Sequence, residues 1–129
     1  MREQREIALA TTTDGLPHVR IVNFYYAPEE RRIYFATFKD NEKVVELAAN
    51  PNIAFTTVPH NDTTEHVRAS GHAVKSAHTV YDLAALFAAK IPRYQEIIDA
   101  VGDELILYEI AFDTAVVTVD MEHRAQITL

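Results

Sequence analysis

Two cations in this chain stand where a cation needs explaining. Lys43 falls three residues after Asp40, and Val44, Leu47 and Ala48 repeat at helical spacing. That pattern predicts a helix capped by Asp40 with Lys43 in its first turn. A helix start is already positive, so a lysine there is disfavoured unless an anion joins it. The free backbone N–H groups at such an end, together with the lysine, make an anion site. The alternative is that Asp40 and Glu42 satisfy the end themselves. Arg20 lies mid-strand on a face with Val22 and Phe24. It either pairs with an acid at a sheet rim or meets an external anion. Thr37 ends a third strand and either donates its hydroxyl to a phosphate or simply terminates the strand. Asn41 either does the same or supports the turn.

Other chemistries are poorly provided for. His60, His66, His72 and His78 recur every six residues. Six extended residues span roughly 20 Å, so His66 and His72 share a face without reaching one ion. Zinc sites place their histidines closer in sequence, and no metal site is expected. The chain has no cysteine, which excludes disulfides, thiolate metal sites and a thiol nucleophile. There is no GxSxG, and Gly15, Gly71 and Gly102 lie too far apart for GxGxxG or a P-loop. No catalytic acid, base or nucleophile is therefore assigned. Net charge is −7, from 12 basic and 19 acidic residues, which argues against a broad nucleic-acid surface. No apolar run reaches membrane-spanning length. The charged start lacks a signal-peptide core, and a cytoplasmic location is expected.

These residues need a frame to hold them. At 129 residues, 48% hydrophobic and 24% charged, the chain suits one domain over 1–129. Strand patterns cover 7–13, 18–26 and 32–37, with an Asp14-Gly15 turn after the first. The helix after Asp40 stops at Asn50-Pro51. Strands follow at 52–58 and 66–76, separated by a polar loop at 59–65. In the longer strand, Val67, Ala69, Gly71 and Ala73 share one face; His66, Arg68, Ser70 and His72 share the other. Val80, Leu83, Ala84, Phe87 and Ile91 keep one helical face, which Pro92 breaks. A shorter helical piece ends at Gly102, and strands cover 105–112 and 115–119. Residues 120–129 carry no clear pattern. Strands that mostly follow one another, with few helical excursions, predict a mainly β, small antiparallel barrel with flanking helices.

Three segments, in order and with matching spacing, resemble the pyridoxamine 5'-phosphate oxidase-related family of FMN-binding split barrels. They are LATTTDGLPHVRIVNF (9–24), IYFATFKDNEKVVELAANPNIAF (33–55) and HVRASGHAV (66–74). The resemblance spans about residues 7–76; beyond it only the strand pattern matches. It implies a six- to seven-stranded split β-barrel and an FMN-dependent oxidoreductase whose flavin ring carries the redox chemistry. It places Arg20 and Lys43 on the FMN phosphate, with Thr37 and Asn41 hydrogen-bonding it. Ile21, Val22 and Asn23 would edge the flavin ring, with Ala36 at the neighbouring strand end and His66 near the ring. It also implies a homodimer with the cofactor at the subunit interface and a small-molecule substrate. Glu42 stands where the oxidases carry a second basic residue, and Tyr25 where they carry lysine. The chain has no Trp and lacks the oxidases' arginine-rich end, so pyridoxamine phosphate is not the implied substrate. Family breadth leaves two alternatives: an F420-dependent split-barrel reductase, or a non-catalytic flavin- or haem-binding module.

Overall fold

The computed structural model describes residues 1, 3–60 and 63–128. Two residues of the expected polar loop, Asn61 and Asp62, lie outside them, as do Arg2 and Leu129. The first strand, β1 (Glu6–Thr13), alternates as a half-buried strand should: Ile7, Leu9 and Thr11 are fully buried. Asp14 and Gly15 both take positive φ, 51° and 82°, and turn the chain directly into β2 (Leu16–Asn23). A two-residue loop with both φ positive matches the twist of a hairpin, and Asp-Gly is its favoured sequence. Thr13 accordingly pairs with Leu16.

The expected strand at 18–26 is broken. Phe24 falls between β2 and β3 (Tyr25–Ala27), is fully buried, and donates its N–H to the Arg5 carbonyl at 3.1 Å. The turn over 28–31, with Arg31 at φ 56°, leads into β4 (Arg32–Phe38). Helix α1 covers Glu42–Ala49. Its cap is Asn41 rather than Asp40: the Asn41 Oδ1 accepts the Lys43 N–H at 2.9 Å. Asp40 and Asn41 are both good caps, and only the backbone geometry separates them. At the far end Asn50 donates to Thr12 Oγ1 and accepts from the Asn52 N–H, tying α1 to β1 and to β5 (Asn52–Thr57). Asn41→Ala should cost about 1 kcal/mol and lower the melting temperature by a few degrees, with Asn41→Asp recovering most of it. A thermal melt that leaves Asn41→Ala unchanged would remove this cap from the account.

After β6 (His66–Lys75) come α2 (Ala84–Lys90), α3 (Tyr94–Val101) and a short 3-10 turn. The chain ends with β7 (Leu105–Ala111), β8 (Thr114–Thr118) and β9 (Arg124–Thr128). The apolar face read from Val80 to Ile91 is real, but residues 80–83 are turns and the helix starts only at Ala84. The described residues form nine strands, not six or seven, because of the break at Phe24 and the added β9. All strand pairs are antiparallel.

Neighbouring strands run β2-β1-β5-β6-β7-β4-β3. The path begins and ends on strands joined only through Phe24, so the sheet curls fully round. No ladder joins β2 to β3 or β4, and the barrel stays open along this seam. Its interior is filled by Ile7, Leu9, Phe24, Ile33, Phe35 and Tyr108 among others, with Leu47 of α1 reaching in. Phe35 and Tyr108 stack at 5.5 Å across the β4–β7 pair. A second core lies outside the sheet, where Val80, Phe87, Tyr94 and Ile98 cover Tyr34 and Leu107. Strands β4 and β7 are thus buried on both faces.

On the other edge, β6 pairs with β7 and then with β8. The matched pairs His72–Ala111 and Arg68–Val116 leave one more residue on the β7–β8 side, which is a β-bulge. Gly71 faces it: a Cβ there would lie 2.1 Å from the Ala111 carbonyl oxygen. Beyond the bulge β8 turns away from β4 and carries β9 on its free edge.

Candidate anion site at the start of α1

The antiparallel register puts Arg20 opposite Leu9 and His18 opposite Thr11. Opposed residues share a face, so Arg20 lies on the side of the buried β1 residues, near the end of the barrel that α1 covers. One turn into α1, Glu46 meets it. The Arg20 Nη2 is 3.3 Å from Glu46 Oε1 and 3.5 Å from Oε2. The Thr11 hydroxyl donates to Oε2. Burial pushes the Glu46 carboxyl up, but the Thr11 hydroxyl, Arg20 and His18 together outweigh it and hold the group below its ordinary value. Glu46 is therefore ionised.

Two donors are left over. The Arg20 Nη1 is buried and has no hydrogen-bond partner among the described residues. Lys43 is 7% exposed, and none of those residues offers its Nζ a hydrogen bond or a carboxylate at ion-pair distance. Burial lowers the Lys43 pKa, Arg20 lowers it further, and Glu46 pulls it back up. A buried lysine and a half-buried arginine that repel each other, with one carboxylate paired to the arginine alone, leave room for an anion. The helix end adds less than its sequence suggests. Asn41 already takes the Lys43 N–H on its side chain and the Val44 N–H on its carbonyl.

The other residues expected at a site are dispersed. Thr37 is buried at the end of β4, on the face of Ile33 and Phe35. Asn41 adjoins the cluster through its cap, which leaves its side-chain amide free to donate. Val22 packs against the barrel interior, Asn23 is half-buried at the end of β2, and Ile21 points outward and is exposed. Ala36 packs towards the α2–α3 layer. His66 is half-buried at the start of β6, its Nδ1 3.0 Å from the Thr64 carbonyl. It shares the outer face with Arg68, three strands from β2. Strand spacing puts it roughly 15 Å or more from Arg20, across the sheet. The structure therefore unites Arg20 and Lys43, and His66 does not join them within one chain.

Sequence reasoning missed Glu46, Thr11 and His18. Glu46 reads as an ordinary polar helix position, yet it lies three residues after Lys43 and so shares its helix face. That spacing was the available signal. Among the described residues no group of three or more His, Asp or Glu is placed to hold a metal. Among the same described residues no helix is long and apolar enough to cross a membrane.

On the outer face, a groove of about 610 Å³ runs over Ala8, Ala10, Ala54 and Arg68. Next to it Val19 and Ile21 are exposed.

An antiparallel sheet curled round its own core, open along one seam and carrying its helices outside, is a split β-barrel. The chain belongs to the pyridoxamine 5'-phosphate oxidase-like family, whose sequence model matches residues 1–124. No curated protein matches the sequence. Among solved structures it is similar to a haem-binding protein from Mycobacterium smegmatis (TM-score 0.75, 16% identity), covering 98% of this chain and 53% of that one. It therefore spans about half the length of that protein. It is also similar to General Stress Protein 26 from Bacillus anthracis (TM-score 0.69, 18% identity), covering 98% of this chain and 90% of that one. A third likeness is to a FAD-binding protein from Mesorhizobium loti (TM-score 0.65, 15% identity), covering 88% and 85%. At these identities the likeness concerns the fold.

Proposed function

We propose that the protein is a cytoplasmic, homodimeric flavin-dependent oxidoreductase acting on a small molecule, with FMN the simplest cofactor that its anion site could hold. One observation carries the reading: the partnerless Arg20 Nη1 beside the buried, unpaired Lys43. Such a pair fits a phosphate oxygen, and charge-assisted bonds would offset the cost of burying Lys43 and part of Arg20. Arg20 and Lys43 would hold the phosphate, with Thr37 and the Asn41 amide as neutral donors. Residues 21–23 continue the strand from Arg20 and would flank the ring. A bound flavin supplies electron transfer at its ring, while the chain's own residues bind it, orient it and exclude water. The exposed Val19 and Ile21 beside the outer groove favour a second copy covering that face.

The purified protein, incubated with FMN and passed over a sizing column, should carry flavin absorbance at a dimer's elution volume. Arg20→Ala and Lys43→Ala should each weaken FMN binding about tenfold or more, since a charge-assisted hydrogen bond is worth roughly 1.5–3 kcal/mol. Parent-like binding by both variants would move the phosphate elsewhere. Flavin eluting with a monomer would remove the dimer.

A further inference from the structure

The charge count of the cluster goes further than its shape. Arg20 and Lys43 bring two positive charges, and Glu46 brings one negative charge that is already inside. His18, also near the carboxyl, is exposed on β2. One positive charge is left for a ligand. A phosphomonoester such as that of FMN carries close to two negative charges at pH 7, its second pKa being about 6. A phosphodiester carries one. The second charge of a monoester would face the Glu46 carboxylate in a partly buried place, where like charges repel far more than in water.

We infer that Glu46 is a specificity-determining residue that makes the Arg20–Lys43 site prefer a singly charged phosphodiester over a doubly charged phosphomonoester. The inference rests on the reading that this site holds a flavin phosphate. The ligand class it favours is a flavin or deazaflavin whose phosphate is esterified twice. Thr11 and Arg20 fix the carboxylate in place, so it cannot swing out to relieve the repulsion without losing both bonds.

Two probes that differ by one charge and little bulk decide this: FMN and riboflavin 5'-methylphosphate. Their affinities are measured at pH 8 on the parent and on Glu46→Gln, with thermal melts confirming that both are folded. The parent should bind the methyl ester at least as tightly as FMN. Glu46→Gln should tighten FMN about tenfold or more, while the ester changes less than threefold. A parent that prefers FMN tenfold overturns the inference, even if the variant does not fold. Equal changes in both affinities overturn it as well. Failure of the underlying reading looks different: neither probe binds either protein, or Arg20→Ala leaves both affinities where they were.

Discussion

Gly71→Ala should lower the melting temperature by roughly 10 °C or more, the equivalent of about 3 kcal/mol. The added methyl carbon would sit 2.1 Å from the Ala111 carbonyl oxygen and 3.2 Å from Phe112 Cβ. A backbone oxygen within a strand cannot step aside as a flexible side chain can. To make room, β6 must part from the bulge between β7 and β8, and both ladders along that edge weaken together. Gly15→Ala is the informative control. Nothing lies within 4 Å of a Cβ at Gly15, but its φ of 82° is strained for any L side chain. It should cost about 1 kcal/mol, the usual price of left-handed backbone. Thermal melts of the two variants separate a clash from a torsional cost. If Gly71→Ala melts within a couple of degrees of the parent, the close approach at the bulge is wrong.

The second large effect is at the seam. Phe24→Ala should destabilise the fold by about 3–5 kcal/mol, the range for truncating a buried phenylalanine. Phe24 is fully buried where the two ends of the sheet path meet, and no ladder there can compensate. Its ring also carries Lys90, whose Nζ lies 3.6 Å from the ring centroid and donates to the Met1 carbonyl at 3.1 Å. Burial lowers the Lys90 pKa to about 8. Phe24→Leu keeps much of the apolar volume but removes the ring face that favours the cation. It should therefore unfold less readily than Phe24→Ala while pushing the Lys90 pKa further down. NMR titration of the lysine side chains reads that shift. An unchanged or raised Lys90 pKa in Phe24→Leu would show that the ring does not support the charge.

Much of the fold was legible because period-two alternation survives wherever one strand face is buried. Ile7, Leu9 and Thr11 show this, and so do Val67, Ala69 and Ala73. The Asp14-Gly15 hairpin was legible from the turn chemistry alone. Strand β9 was not, because every residue of Arg124–Thr128 is exposed and no face has to be apolar. The break at Phe24 was hidden inside a continuous apolar run, where a buried seam and a buried strand look alike. At the site, Arg20 and Lys43 stood out because each was awkward in its local element. Glu46 did not, since its partners come from strands far from it in the chain. A buried carboxylate on a helix looks like any surface one until the sheet beside it is known.

The seam also governs how quickly this chain can reach its native state. β1 and β2 can form their hairpin early, and β3 can pair with β4 through a short turn. Yet β4 finds its other neighbour only in β7, with Arg32 opposite Ala111 across most of the chain. Until that distant pairing forms, the two ends of the sheet cannot be brought round, and Phe24 has no complete pocket to enter. Loop-closure entropy is thus spent before the interior returns it. The expected folding time is on the order of milliseconds to seconds, as for other chains dominated by non-local strand pairs. The rate-limiting barrier would lie at the meeting of β4 with β7, after the local hairpins are already in place.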